Sequence, residues 1–205
     1  MKRCVIVGGA DINDYDKVRA SLSSDDYYIF CDCGLRHADK LAVSPDLIVG
    51  DFDSYNRPET EIEMIVLPTV KDDTDTVYAV KEGLKRGYKE FLLIGCVGQR
   101  LDHTLANVSI LQMLDKNGAK GVIVDDYSEM ELVKDEVVRI PSTFAYFSLI
   151  NIYGNAKGIT ISGAKYPLAN AEITTDYQYG VSNEVTGNEA AVSVDDGALL
   201  LIKVF

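Results

Sequence analysis

Carboxylates are spaced along the first half of this chain in a pattern that could gather a divalent cation. The segment Pro45-Asp46-Leu47-Ile48-Val49-Gly50-Asp51-Phe52-Asp53-Ser54 is a short apolar run ending in two aspartates at i, i+2. On extended backbone that spacing directs both side chains to one side. Two like charges held together repel unless a cation is bound or one carboxyl keeps its proton. Mg²⁺ carrying a polyphosphate suits such a place, because it takes one or two carboxylates and completes its shell with water and phosphate oxygen. The alternative is a turn in which Asp51 or Asp53 accepts backbone N–H groups.

Further along, Lys71-Asp72-Asp73-Thr74-Asp75-Thr76 stands just ahead of a helical stripe. Acids there either cap the helix and complement its dipole or join the first pair, and Lys71 either meets a phosphate or pairs with a neighbour. In Gly98-Gln99-Arg100-Leu101-Asp102-His103, Arg100 can hold phosphate bidentately beside a helix N-terminus. Asp102 serves as N-cap, metal ligand or base, and His103 reads as a local hydrogen-bonding group rather than a catalytic one. Gly8-Gly9 after an apolar run lets a phosphate approach the backbone, without completing a GxGxxG or Walker pattern. Asp32-Cys33-Gly34 also closes a strand-like run.

These residues need a scaffold that brings them together. Apolar runs at Cys4–Val7, Tyr28–Cys31, Leu47–Val49, Met64–Leu67, Phe91–Ile94 and Gly121–Val124 read as strands buried on both faces. Between them, Val77, Val80 and Leu84 form one helical stripe, and Leu101, Leu105, Val108, Leu111 and Leu114 form another. The alternation predicts an α/β domain with a mostly parallel sheet, and all five polar loops fall at the C-terminal ends of its strands. After about Asp125 seven β-rich runs follow with no three-turn helical stripe, which predicts an all-β sandwich or barrel. Asp195-Asp196-Gly197 reads as a hairpin loop and Tyr153-Gly154-Asn155 as a turn. The expected domains are 1–125 and 126–205.

The chain has 205 residues, 47% apolar and 25% charged, the balance of a soluble globular protein. Twenty Lys and Arg against 32 Asp and Glu give a net charge of −12, which argues against nucleic acid as a partner, since its phosphates require a basic face. No window approaches a membrane span, and the opening apolar run is shorter than a signal peptide's. Cys4, Cys31, Cys33 and Cys96 read as reduced structural thiols of a cytoplasmic protein.

With these motifs in order, the chain resembles the thiamine pyrophosphokinase family along essentially its whole length. The Asp51-Phe52-Asp53-Ser54 strand end, Lys71-Asp72-Asp73-Thr74-Asp75, Arg100-Leu101-Asp102-His103, and Gly180-Val181-Ser182-Asn183-Glu184 near the other end carry the likeness. The resemblance implies an N-terminal α/β domain for ATP, a C-terminal β-sandwich for thiamine, and a homodimer whose active sites are shared between subunits. It implies transfer of the β,γ-pyrophosphate of ATP to the thiamine hydroxyl, giving thiamine diphosphate and AMP. By position, Asp51, Asp53, Asp75, Arg100 and Asp102 would form the catalytic set, and Asp51, Asp53, Asp75 and Asp102 would hold Mg²⁺. Gly8, Gly9, Asp32, Lys71, Asp72 and His103 would serve the nucleotide, and Ser182 and Asn183 the thiamine. Asp75 or Asp102 would accept the hydroxyl proton. Cys33 departs from the glycine common at its position, Val97 and Gln99 replace a common Gly-Gly, and with no Trp present a tyrosine such as Tyr177 or Tyr179 could face the substrate. A pterin pyrophosphokinase, a Mg²⁺-dependent phosphohydrolase and a ligand sensor without turnover are the competing readings.

Overall fold

The computed structural model describes residues 2–53, 57–70 and 72–205, and the chain divides into two compact units, Met1–Asp126 and Tyr127–Phe205. Lys71 and Ser54 therefore lie outside the described residues.

In the first unit the apolar runs form strands β1 (Cys4–Val7), β2 (Tyr27–Cys31), β3 (Leu47–Gly50), β4 (Glu63–Val66), β5 (Glu90–Ile94) and β6 (Lys120–Val124). All neighbouring pairs are parallel, in the order β4-β3-β2-β1-β5-β6. Alternate strand residues Val5, Val7, Tyr28, Phe30, Leu92 and Ile94 form one core with Val18 of helix α1 (Tyr15–Ala20) and Leu41 of helix α2 (Ala38–Leu41). The opposite sheet face receives helix α3 (Asp75–Lys85), whose Gly83 stands so close to Phe91 and Cys4 that a Cβ would come within 2.7 Å of the ring. Helix α4 (Leu101–Lys116) packs beside β6. Covering both faces explains why β1, β3 and most of β2 and β5 are continuous apolar runs.

Two expectations need correction here. β4 is not buried on both faces, because it is the edge strand of its sheet, and Val66 is largely exposed. On α4 the buried stripe comprises Asn107, Val108, Ile110, Leu111 and Leu114, whereas Leu101 and Leu105 are 65% and 62% exposed. The first turns of that helix carry the polar loop ahead of them, and their leucines have no core to enter.

The second unit is built of strands β7 (Ser128–Val133), β8 (Val138–Pro141), β9 (Tyr146–Ile150), β10 (Ala156–Ser162), β11 (Leu168–Ile173), β12 (Glu189–Ser193) and β13 (Leu199–Val204). They pair antiparallel as β7-β13-β9 and β11-β10-β12-β8. Val133, Phe147, Leu149 and Leu201 of one sheet share a hydrophobic cluster with Ile140, Ile159, Ile161, Ile173 and Val192 of the other. Asp195-Asp196-Gly197 is consequently not a hairpin loop. It carries the chain from β12 in one sheet to β13 in the other, held by Asp195 and Asp196 N–H groups on the Lys157 carbonyl.

Asp126, at the end of the first unit, is 8% exposed and accepts hydrogen bonds from the Asn13 backbone N–H (2.9 and 3.0 Å), the Asn13 amide (2.8 Å) and the Asp14 N–H (2.9 Å). It thereby anchors the segment that follows β1. Burial opposes its ionisation, but these donors outweigh it and hold the carboxyl below the usual carboxylate range. A folded-state value depressed below the unfolded one adds stability above the unfolded pKa of about 3.9, and that stability is lost as pH falls through the folded value. Asp126→Asn should therefore cost about 1–3 kcal/mol in denaturant melts at neutral pH. The gap between the two proteins should begin to narrow below about pH 4 and close only as pH falls through the lower folded value, where the Asp126 carboxyl takes up its proton.

Candidate active site

The sheet order places β1 in the middle, with β2, β3 and β4 laid down to one side and β5 and β6 to the other. Strand order reverses between β1 and β5, where parallel sheets open a crevice at the strands' carboxyl ends. The loops leaving these two strands are laced together: Gly8 N–H donates to Ile94 O and Ala10 N–H to Gly95 O, both at 2.8 Å. A Cβ on Gly8 would lie 2.5 Å from the Gly95 carbonyl, so this glycine serves the approach of one loop to the other rather than leaving space for a phosphate. Beyond the loops lies a cavity of about 450 Å³, bordered by Gly9, Asp32, Cys33, Arg36, Asp75 and Arg100, a size in the range of small-molecule sites.

Three carboxylates from three separate parts of the chain meet beside this cavity, Asp32 and Asp75 on its border. Asp32 opens the 3₁₀ turn Asp32–His37 after β2, Asp51 follows β3, and Asp75 begins α3. One oxygen of each lies within 4.8 Å of the others. Parallel pairing brings Cys31 beside Val49 and Gly50 beside Val66, so consecutive strands end side by side. A Cβ on Gly50 would stand 2.9 Å from that of Asp32, so glycine at the end of β3 lets the Asp32 side chain lie against it. Asp32 is only 7% exposed and its Oδ1 makes no hydrogen bond, while its Oδ2 accepts from the Cys33 thiol at 3.7 Å. Burial first, then the charges of Asp75 and Asp51, raise its pKa above the usual range. Hard oxygen donors from separate strand ends, one buried with an unserved oxygen, are the donor set a small hard dication takes.

The group differs from the sequence expectation in its membership, Asp32 standing in it and Asp53 and Asp102 outside it. Phe52 adopts a left-handed conformation (φ 57°), so the backbone is not extended and Asp51 and Asp53 do not share a face. Instead the Asp53 N–H donates to Asp51 Oδ1 at 3.2 Å, leaving Asp53 exposed. The turn and the carboxylate group thus coexist at Asp51. At α3 the cap is Thr74, whose hydroxyl accepts from the Val77 N–H, which spares Asp75 from capping. Asp73 pairs with Lys81 at 2.6 Å and Asp72 is exposed outside the group.

Asp102 is not the N-cap of α4. That position is Arg100, whose guanidinium makes a bidentate pair with Asp102 at 3.0 and 2.7 Å. The Arg100 hydrogen bonds hold the Asp102 carboxyl well below the usual carboxylate range. His103 is exposed and borders the cavity, and its backbone N–H serves Asp102. Thr104 and Asn107 tie the preceding loop to the helix, through Gly98 (3.1 and 3.2 Å) and the Cys96 carbonyl (2.8 Å). Sequence reasoning missed Arg36. It borders the cavity and donates to the Gly9 carbonyl and to Asp11 Oδ1 (2.7 Å), and its signal was its place four residues after Asp32 in one short helix.

In the second unit Ser182 is exposed and left-handed (φ 58°), with its N–H on Ser148 Oγ at 3.0 Å. Asn183 is 4% exposed and committed to the fold: its amide donates to Tyr166 O, and its Oδ1 accepts from the Tyr166 and Glu184 N–H groups. Tyr177 and Tyr179 lie ring to ring at 5.3 Å, and both are exposed.

The family model for the thiamin pyrophosphokinase catalytic domain matches residues 18–123, and the one for its vitamin B1 binding domain matches residues 134–199. A thiamine pyrophosphokinase from Bacillus subtilis is 28% identical over 99% of both chains. The crystal structure of thiamine pyrophosphokinase from the same organism superposes with a TM-score of 0.86 at 24% identity, covering 99% of each chain. That of a thiamin pyrophosphokinase family protein from Enterococcus faecalis gives 0.82 at 25% identity, over 100% of this chain and 99% of the other. With its carboxylate-bearing first unit matched across more than half the chain by the catalytic-domain model, this protein belongs to the thiamin pyrophosphokinase family.

Proposed function

We propose that this chain performs the reaction its family is named for, transferring the pyrophosphoryl group of ATP to the hydroxyl of thiamine with release of AMP, in a Mg²⁺-dependent manner. The observation that carries the site assignment is the meeting of Asp32, Asp51 and Asp75, two of which, Asp32 and Asp75, border the cavity, inside the segment matched by the catalytic-domain model. Residues 1–125 serve as the ATP-binding domain and 126–205 as a thiamine-binding β-sandwich. The match to the vitamin B1 binding domain supports that division and speaks for thiamine over a pterin as acceptor. No helix among the described residues is long and apolar enough to cross a membrane, and the four cysteines are free thiols, which fits a cytoplasmic enzyme. Assembly as a homodimer belongs to the same reading, and the exposed Leu101 and Leu105 are apolar surface of the kind a second subunit covers.

Phosphoryl-type transfer asks the protein mainly for positioning and charge stabilisation. Asp32, Asp51 and Asp75 would hold Mg²⁺, with Asp53 adjacent. When bound, the ion supplies charge neutralisation along the polyphosphate. Arg36 and Arg100 offer guanidinium groups to phosphate oxygens from opposite loops, each exchanging a carboxylate partner for the nucleotide. Lys71, Asp72 and His103 are assigned to the nucleotide's surroundings. Asp102, made a weak proton acceptor by Arg100, is less suited to the base role than Asp75. Ser182 presents its hydroxyl to thiamine, and Asn183 holds the left-handed turn that aims it.

The decisive experiment incubates the protein with ATP, Mg²⁺ and thiamine, with AMP and thiamine diphosphate appearing one for one. Phosphate release that ignores thiamine would instead identify a hydrolase. Asp51→Asn should lower Mg²⁺-dependent turnover about 10²-fold or more while the circular dichroism spectrum stays native, and near-normal turnover would remove Asp51 from the metal site. Because the folded pKa of Asp32 is raised, the proton it retains stabilises the fold at low pH, and that contribution fades as pH rises through the folded value. In metal-free protein at pH 7, Asp32→Asn should therefore raise stability by about 0.5–2 kcal/mol while abolishing the rise of Mg²⁺ affinity with pH. Ser182→Ala should raise the apparent KM for thiamine more than that for ATP with little change in Tm, whereas Asn183→Ala should lower Tm.

A further inference from the structure

His37 does not border the cavity, yet the cavity's wall is bonded to it. It is 2% exposed and closes the 3₁₀ turn Asp32–His37. Its Nε2 lies 2.9 Å from the Ala10 carbonyl oxygen and its Nδ1 2.7 Å from the Tyr15 hydroxyl. A carbonyl can only accept, so Nε2 carries the proton, and Nδ1 of the neutral ring accepts from the hydroxyl. Burial first, then the Arg36 charge, lower the His37 pKa below the ordinary imidazole value, Lys40 adding to this while the Ala10 bond and Asp11 oppose it. The ring therefore keeps its single-proton form at neutral pH. The preceding residue, Arg36, donates to the Gly9 carbonyl and to Asp11 Oδ1. Two consecutive residues of the turn thus grip Gly9, Ala10 and Asp11, all of which border the cavity. Ala10 passes the constraint on. Its N–H donates to Gly95 O at 2.8 Å, and a Cβ on Gly98 would lie 2.9 Å from that of Ala10, so the loop leading to Arg100 packs against it.

We propose that His37 is a positioning residue for the nucleotide: without touching it, His37 clamps residues 9–11 to the turn and so fixes where the Arg36 guanidinium meets phosphate oxygens. The consequence for ATP rests on the functional reading above, whereas the clamp itself does not. Arg36 is exposed and carries a long, freely rotating side chain, so its reach is defined only where its backbone and the carbonyl it leans on are held. Histidine suits this place because a rigid ring carries a donor and an acceptor on different edges. One side chain thereby joins the start of α1, the turn and the loop after β1.

The test compares His37→Ala, His37→Gln and Tyr15→Phe with the unaltered full-length protein. His37→Ala should weaken ATP binding about 10-fold, by calorimetry with Mg²⁺ and as KM for ATP, while KM for thiamine moves by less than about 2-fold. His37→Gln returns an amide donor to the Ala10 carbonyl and should recover part of that loss, and Tyr15→Phe should cost about 3-fold. A merely structural role would lower Tm without this preference for ATP. Amide exchange read by mass spectrometry should quicken in the peptide carrying Ala10 of His37→Ala. Proton–nitrogen correlation spectra of the unaltered protein should show the Nε2–H tautomer, assigned by its loss in His37→Gln. Equal losses for ATP and thiamine, unchanged ATP affinity in folded variants, or a ring protonated at Nδ1 would overturn the assignment. Should His37→Ala fail to fold, unmoved ATP affinity in Tyr15→Phe would still count against it. If the unaltered chain binds no ATP, the functional reading fails, while exchange and tautomer still decide the clamp.

Discussion

Repulsion among carboxylates gathered at the ends of parallel strands is the constraint around which the first unit is organised. Asp32, Asp51 and Asp75 are held within 4.8 Å by elements that cannot separate without breaking the sheet's doubly covered core. In a chain of net charge −12 this is an unfavourable place to concentrate further negative charge. The burial of Asp32 sharpens the conflict, because desolvation disfavours the same ionised form that its neighbours repel. A fold that carries such a group is suited to neutralisation by a cation.

The local backbone is adapted to that gathering. Glycine ends β3 because a side chain there would collide with Asp32, and with Phe52 left-handed Asp51 accepts the Asp53 N–H while still lying among its carboxylate neighbours. Thr74 takes over the capping of α3 and releases Asp75. The cavity's guanidinium groups are stored on partners of their own, Arg36 on Asp11 and Arg100 on Asp102. Positive charge is therefore present around the same cavity as Asp32 and Asp75, held in ion pairs.

The second unit solves a different problem, presenting polar side chains from an all-β core. Asn183 is bonded into the backbone from three sides, and the adjacent Ser182 sits in a conformation unusual for a residue with a side chain. Lys203 lies buried between Glu129 (2.8 Å) and Glu131 (2.9 Å) of the neighbouring strand, so its charge is matched where water is scarce. Such pairing holds register, since a one-residue slip would leave the ammonium without partners.

Periodicity alone determined much of the architecture: apolar runs of four or five bounded by Gly and Asp became the parallel strands, and the change of texture near Asp125 became a unit of seven β-strands. It also located the aspartates at strand ends, because polar residues that stop an apolar run must fall where the strand leaves the core. Which of them converge was decided only in three dimensions. Asp53 looked like a partner of Asp51 because i, i+2 spacing implies a shared face, but that inference needs an extended backbone and Phe52 does not supply one. Asp102 was claimed by Arg100, Leu101 and Leu105 belonged to a helix end that the core does not reach, and Asp32 entered the group through the register of β2 beside β3. Local sequence sets which element a residue occupies. The distance between residues on different elements depends on strand order, register and the few backbone angles where the chain turns, and these are properties of the whole packed sheet.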